Sequence, residues 1–163
     1  MRVLVTSASK HGATAEIASA IAYSLQGSAL HVSVVPIDDA PDVADYDAVV
    51  VGSAIYAGRW RKPARAFVEH NADVLAERPV WLFSSGPLGE PAKPDSDPVD
   101  VEKLVALTGA LGHHLFAGKL DKDELSWGEK AVVSAVRAPE GDWRDWADVS
   151  AFAREIASEL TRS

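Results

Sequence analysis

The chain has 163 residues, of which 47% are hydrophobic and 25% are charged, and its formal net charge is −8 at pH 7. This length suits one domain, and the negative charge argues against nonspecific binding to nucleic acid or to anionic lipid. No apolar run reaches the roughly 18 residues that a membrane-spanning helix needs. The N-terminus lacks the long apolar region of a secretory signal. We therefore expect a single-domain cytoplasmic protein, 1–163, without an integral membrane segment.

The sequence contains no cysteine. This excludes a disulfide, a thiolate nucleophile, and zinc or iron–sulfur sites with cysteine ligands. If the protein carries out redox chemistry, the redox group must therefore be a bound cofactor.

Short apolar runs alternate with amphipathic stretches along the chain. The predicted strands are residues 2–6, 30–34, 48–51, 80–83 and 114–120. The predicted helices are residues 14–25, 63–75, 99–111, 125–137 and 143–160. Five strands that alternate with helices predict an α/β fold with a parallel sheet and right-handed crossovers. The second strand alternates in polarity and is expected at an edge, which favours the strand order 2-1-3-4-5.

Local signals mark the ends of two of these helices and one loop. Pro63 suits the first turn of its helix, where a missing N–H costs nothing. Asp142 is the predicted N-cap of the last helix, whose inward face is expected to include Trp146. Residues 90–98 are rich in proline and aspartate and predict a surface loop, which is either passive or a lid over a bound ligand.

Three loops of small, polar and glycine residues follow the first, third and fourth predicted strands. In this strand order the three loops meet at the carboxyl edge of the sheet, where open α/β sheets bind ligands. The predicted cofactor-binding residues are Ser9, Lys10, His11, Gly12, Ala13 and Thr14 in the first loop, Ser53, Ala54, Ile55, Tyr56, Ala57 and Gly58 in the second, and Ser84, Ser85, Gly86, Pro87, Leu88 and Gly89 in the third.

The first loop leads directly into a predicted helix, whose free N–H groups and positive dipole end suit a phosphate. Lys10 and His11 would add positive charge. Ordinary helix capping by Ser9 or Thr14 is an equally open interpretation. The sequence has no nucleotide-binding P-loop, no dinucleotide-binding G-x-G-x-x-G and no G-x-S-x-G nucleophile elbow at these positions.

The first loop matches the Ser/Thr-x-x-Gly-x-Thr phosphate loop of a known family. The run 51–58 and the C-terminal segment 141–157 resemble segments of the same family. Across nearly the whole chain the sequence resembles the flavodoxin-like FMN proteins, within the branch related to menaquinone-dependent protoporphyrinogen oxidase.

This resemblance implies a flavodoxin-like three-layer sandwich with FMN as the cofactor. The FMN phosphate would bind residues 9–14, and the isoalloxazine ring would lie between the second and third loops. Tyr56 is the first candidate for contact with the ring and Trp60 is the reserve; a half-buried loop aromatic is the alternative for Tyr56. The redox chemistry belongs to the flavin, so no side chain is assigned a catalytic role.

A basic cluster follows the second loop in this acidic chain. Arg59, Trp60 and Arg61 are candidate substrate-binding residues, with Lys62 and Arg65 beside them. The cluster would receive an anion, such as a substrate carboxylate or a cofactor phosphate; a solvated surface is the alternative. Trp60 is expected to be exposed, at a dimer interface or a substrate wall.

No metal site is predicted. His113 and His114 are adjacent on a predicted strand, so their side chains point to opposite faces and do not share an ion. We expect both histidines to have structural roles.

Three functions remain open at this point. The first is an FMN-dependent oxidoreductase that acts on a quinone-like or porphyrinogen-like small molecule, with a quinone or NAD(P)H as a redox partner. The second is a noncatalytic electron carrier that docks on a partner protein. The third is a binding module that has the same fold without flavin.

Overall fold

The computed structural model describes residues 1–56, 58–86, 100–120, 141–142 and 144–162. The predictions for the loop 90–98 and the helix 125–137 lie outside these residues. So do the predicted cofactor contacts of Ala57, Pro87, Leu88 and Gly89.

A parallel sheet of five strands forms the centre of the molecule. The parallel strands are β1 (Arg2–Ala8), β2 (His31–Pro36), β3 (Ala48–Tyr56), β5 (Val80–Ser85) and β6 (Gly112–Phe116), and a short sixth strand, β4 (Arg59–Trp60), is attached to β3. The parallel strands lie in the order β2-β1-β3-β5-β6. The short antiparallel strand β4, which forms a hairpin with β3, was not predicted. When only the five parallel strands are numbered, their order is 2-1-3-4-5, which confirms the prediction. A separate two-stranded sheet pairs β7 (Lys119–Leu120) with β8 (Gly141–Asp142).

Helices cover both faces of the parallel sheet and complete the predicted three-layer sandwich. They are α1 (Ala13–Gln26), α2 (Lys62–His70), α3 (Ala72–Leu75), α4 (Val101–Thr108) and α5 (Trp146–Thr161). One core lies between the sheet and the pair α1 and α5, and a second lies between the sheet and α2, α3 and α4. Within the described residues, no helix is long and apolar enough to cross a membrane.

The burial of each strand follows from its position in the sheet. In β1, Val3 and Val5 pack into the first core while Leu4 packs into the second, as a central strand requires. In β2, Val34 is exposed, because an edge strand has a neighbour on one side only. The edge position predicted for this strand is therefore confirmed.

Several predicted boundaries were wrong. The single helix expected over 63–75 is two helices, because the backbone at Asn71 leaves helical geometry (φ −104°, ψ 14°). The strand expected over 114–120 is divided between β6 and β7. The helix expected over 99–111 is shorter, because Gly109 takes a left-handed conformation and ends it.

The last helix also begins later than predicted. Its N-cap is Asp145, whose carboxylate accepts hydrogen bonds from the amides of Ala147 and Asp148. Asp142 instead binds Arg144. The prediction that Trp146 faces inward is wrong: the side chain is 43% exposed at the first residue of α5, where it lies against the Arg144 guanidinium.

Candidate cofactor-binding site

The three predicted loops begin at the same level of the sheet. Ala8, the last residue of β1, pairs with Ser53 of β3. Ser53 in turn pairs with Ser84 of β5. The first and third loops leave the sheet near this level, at its carboxyl edge. The bounds predicted for the second loop are wrong, because β3 continues to Tyr56 and turns into a hairpin with β4.

The first loop presents free backbone donors at the start of α1. Gly12 is the N-cap, with a positive φ of 88°, a conformation that glycine adopts without strain. The first intrahelical hydrogen bond runs from the Glu16 amide to the Gly12 carbonyl, at 3.0 Å. Within the described residues, the amides of Ala13, Thr14 and Ala15 have no acceptor. Three free N–H groups at a helix N-terminus form a site for a phosphate or another anion.

No side chain caps the free amides at the start of α1. The start of α1 has no side-chain cap, so the alternative in which Ser9 or Thr14 caps the helix is not observed. Ser9 Oγ instead accepts a hydrogen bond from the Gly12 amide at 3.0 Å and closes the turn ahead of the helix. Thr14 is buried, while His11 and Ala13 are half-buried in the same loop.

The first and second loops meet through Lys10 and Tyr56. The Lys10 Nζ lies 5.6 Å from the centroid of the Tyr56 ring, within the range of a cation–π contact. The Tyr56 side chain is 46% exposed. Ala54 and Ile55, which precede it, are half-buried. An exposed aromatic ring therefore lies against a cation of the first loop, where a flat cofactor ring would have a surface to stack on.

Each loop contains a glycine that leaves room beside its backbone. Gly12, Gly58 and Gly86 all have positive φ, and a Cβ added to any of them would meet no atom within 4 Å. The backbones of Gly86 and Gly118 pack closely together, since a Cβ added to Gly118 would lie 2.7 Å from the Gly86 Cα. Glycine at these positions lets backbone amides approach a ligand closely. These residues fit a phosphorylated cofactor with a flat ring, such as FMN.

Two of the predicted cofactor-binding residues have hydroxyls that form hydrogen bonds within the protein. Ser53 Oγ accepts a hydrogen bond from the Arg61 amide at 2.9 Å, and Ser53 is fully buried. Ser84, also fully buried, hydrogen-bonds through its Oγ to His113 Nε2 at 2.7 Å. Ser85 is buried as well. These serines can offer a cofactor their backbone groups rather than their hydroxyls.

Trp60 is a core residue, and the expectation that it would be exposed is wrong. Its side chain is 1% exposed and packs in the second core. The Trp60 amide donates to Asp100 Oδ1 at 3.3 Å, which fixes the backbone of the hairpin. Antiparallel pairing places Trp60 on the same face as Ile55, towards the core. Burial removes Trp60 as a direct contact for the flavin ring or a substrate.

The basic cluster divides into two groups. Arg65 has a structural role, because its Nε donates to the Trp60 carbonyl at 3.2 Å and lies 3.6 Å from Asp100 Oδ2. Arg59 and Lys62 are exposed and Arg61 is half-buried. Among the described residues, these last three side chains form no ion pair and no hydrogen bond.

The two adjacent histidines lie on opposite faces, as predicted, and both have structural contacts. His113 faces the second core and binds Ser84. His114 faces the first core, where its Nε2 lies 3.0 Å from Asp148 Oδ2 and its ring packs on Phe116 and Phe152. The described residues contain no group of histidines and carboxylates that could hold a metal ion.

Arg144, which precedes α5, contacts the start of α1, and the sequence interpretation missed this contact. The Arg144 guanidinium donates to the Ala13 carbonyl at 3.3 Å and to the Glu16 carboxylate at 3.0 Å, both at the start of α1. It also donates to Asp142 Oδ2 at 2.8 Å, and this hydrogen bond lowers the pKa of the Asp142 carboxyl. Arg144 lies 128 residues from Glu16, so no local pattern identifies the contact.

Comparison with known proteins agrees with this geometry. The family model described as "Flavodoxin domain" matches residues 4–146. The curated protoporphyrinogen IX dehydrogenase (quinone) of Escherichia coli strain K12 is 24% identical over 172 aligned positions, which cover 96% of this chain and 95% of that protein.

Solved structures show the same fold. A flavodoxin from the domain Archaea superposes with a TM-score of 0.67 at 16% identity, covering 99% of this chain and 100% of its own. The flavodoxin of Streptococcus pneumoniae TIGR4 also gives a TM-score of 0.67, at 20% identity, covering 98% of this chain and 99% of its own. With a family model that matches most of its length, the chain belongs to the flavodoxin domain family.

Proposed function

We propose that this protein binds FMN and is an oxidoreductase that transfers electrons or hydride between a reduced donor and a quinone-like or porphyrinogen-like small molecule. Membership of the flavodoxin domain family supports a flavin-type redox role. The similarity to a quinone-dependent dehydrogenase of nearly equal length supports the class of acceptor.

One observation carries the cofactor assignment. The start of α1 offers three free amides, and Lys10 in the loop before it contacts the exposed ring of Tyr56. An anion site next to an aromatic surface matches the two chemical parts of FMN, a phosphate and a flat ring. When bound, FMN supplies the redox centre, which accepts two electrons from a donor and passes them to an acceptor.

The residues of the chain bind and orient the cofactor. The amides of Ala13, Thr14 and Ala15 would hold the phosphate, and Lys10 would contribute a positive charge. Tyr56 would contact the ring, and the backbone of the second and third loops would offer hydrogen bonds to its edge. The buried hydroxyls of Ser53 and Ser84 keep these loops in place.

A comparison of FMN with riboflavin tests this proposal. Both flavins are titrated into the apoprotein, and flavin fluorescence is followed. Because riboflavin lacks the phosphate, we expect FMN to bind at least about 100-fold more tightly, as a phosphate held by several charge-assisted hydrogen bonds predicts. Equal affinity for the two flavins would contradict the phosphate site, and no binding of either would contradict the cofactor.

A turnover assay separates the enzyme from an electron carrier. The FMN-loaded protein is mixed with NADPH or NADH and a soluble quinone, without any other protein. An enzyme reduces the quinone at a steady rate under these conditions. Reduction that requires an added reductase would instead identify a carrier.

A further inference from the structure

We propose that Arg59 and Arg61, here called the arginine pair, bind a small-molecule substrate that carries two acidic groups at the rim of the flavin site. This inference rests on the proposed function and narrows its substrate class. It favours an anionic acceptor or donor over a neutral quinone.

The hairpin geometry places the arginine pair on one side. Trp60 points into the core, and Arg61 continues in an extended conformation (φ −62°, ψ 144°). Side chains alternate along an extended backbone, so Arg59 and Arg61 lie on the face opposite Trp60, with Cα atoms about 7 Å apart. Two arginines whose Cα atoms have this spacing can each bind a separate carboxylate, phosphate or sulfonate with paired hydrogen bonds.

The same face of the hairpin borders the cofactor site. Arg59 pairs with Tyr56 across the β3–β4 hairpin, and residues paired in this way have side chains on the same face. Tyr56 is in turn contacted by Lys10 of the first loop. A substrate that stacks near Tyr56 would therefore have its acidic groups within reach of the arginine pair.

The positive charges of the arginine pair make no contact that stabilises the described part of the fold. Neither side chain forms an ion pair or hydrogen bond among the described residues. Arg61 and Lys62 stand at the N-terminal end of α2, whose first turn contains no acidic residue. Positive charge there opposes the helix dipole, so these cations weaken the helix. Arg65 differs from the arginine pair, because it forms an ion pair with Asp100.

The net charge of the chain is opposite to the charge of the arginine pair. The chain carries a net charge of −8, so its average field repels a dianion. An anionic substrate therefore needs a local positive site, and such a site also attracts it during diffusion. The strength of binding should fall as salt is added, because the arginine pair is accessible to water.

Calorimetric binding of anthraquinone disulfonate to the FMN-loaded protein tests the inference. The probe carries two acidic groups on a flat quinone, and menadione is its uncharged counterpart. Exposed ion pairs contribute modestly, so we expect about a fivefold loss of disulfonate affinity in Arg59→Gln or Arg61→Gln, and about 20-fold in the double variant at low salt. Menadione affinity should be the same in all these proteins.

The control is Arg154→Gln/Arg162→Gln, which removes the same charge from α5 and the residue that follows it. We expect this variant to bind the disulfonate within about twofold of the wild type. Equal disulfonate affinity in the wild type and the arginine-pair double variant would overturn the inference, as would an equal loss in the α5 control.

FMN titration of the same proteins distinguishes a failure of this inference from a failure of the proposed function. A failure to bind FMN in every protein contradicts the proposed function, whereas normal FMN binding with unchanged disulfonate affinity contradicts only the dianion site.

Discussion

The indole Nε1 of Trp60 donates a 2.7 Å hydrogen bond to Ser84 Oγ across the second core. This bond joins the β3–β4 hairpin, which carries the second loop, to the end of β5, where the third loop begins. Both residues are fully buried, so water cannot replace either partner. The spacing between the two loops that would flank a flavin ring therefore depends on a bond inside the core.

Loss of this bond should destabilise the fold. Trp60→Phe keeps most of the apolar ring but leaves Ser84 Oγ without its indole donor. We expect a decrease of about 1–3 kcal/mol in the free energy of unfolding, measured by denaturant titration. The matched control is Trp146→Phe at an exposed position, which should change stability by less than about 0.5 kcal/mol. Equal effects of the two substitutions would contradict a structural role for the Trp60 hydrogen bond.

The backbone at Gly12 should control FMN affinity through the phosphate. Gly12→Ala forces a side chain into a left-handed conformation, at a cost of about 1–2 kcal/mol, and disturbs the turn that exposes the amides of α1. FMN affinity should fall about tenfold or more while riboflavin affinity changes little, as measured by fluorescence titration.

Gly109→Ala provides the control for this prediction. Gly109 also has a positive φ, of 62°, and ends α4 at a point away from the loops. The substitution should lower stability by a similar amount and leave FMN affinity unchanged. A loss of FMN affinity in both variants would assign the effect to general destabilisation.

Gly52 should be intolerant of even one additional carbon. A Cβ at this position would lie 2.1 Å from the Cζ of Phe83. Because cores are close-packed, Gly52→Ala should destabilise the fold by about 1–3 kcal/mol or more, measured by thermal or chemical unfolding. In a Phe83→Leu background the added cost should be smaller, which a double-mutant cycle would reveal. An unchanged cost in that background would show that the clash with Phe83 is not its cause.

The pair of Asp142 and Arg144 should make stability depend on acid pH. The hydrogen bond from Arg144 lowers the pKa of Asp142 below its ordinary value of 3.8. The ionised carboxylate therefore contributes stability at neutral pH, and this contribution is lost as pH falls from about 3.8 through the lower pKa of the folded state.

Asp142→Asn measures this contribution. The wild type should be more stable than the variant at pH 7, and the difference should shrink below pH 3.8, in urea titrations at a series of pH values. The effect should be small, because the Asp142 carboxylate is largely accessible to water. In an Arg144→Gln background the same substitution should show no such pH dependence. A constant difference at every pH in the wild-type background would contradict the role of the ion pair.

The architecture was predictable from local sequence patterns. Continuous apolar runs, such as 48–51, require a strand covered on both faces, and the alternating second strand requires an edge. Together with the intervening helices, these patterns specify the parallel sheet and the order of its five strands. The carboxyl edge and the glycines at its loops follow from that order, so the location of the candidate site was also predictable.

The role of each side chain in that candidate site depends on contacts that form only in the folded chain. Trp60, Ser53 and Ser84 resemble exposed loop residues in the sequence, but all three lie on strands and are buried. Trp60 donates a hydrogen bond to Ser84, and Ser53 accepts one from the Arg61 amide. Arg144 braces the start of α1 from the other end of the chain. Local patterns report the period and polarity of a segment, whereas burial and partnership arise from segments that meet only after folding. This is why the sequence predicted a candidate site, whereas the fold was needed to identify which of its residues have structural roles.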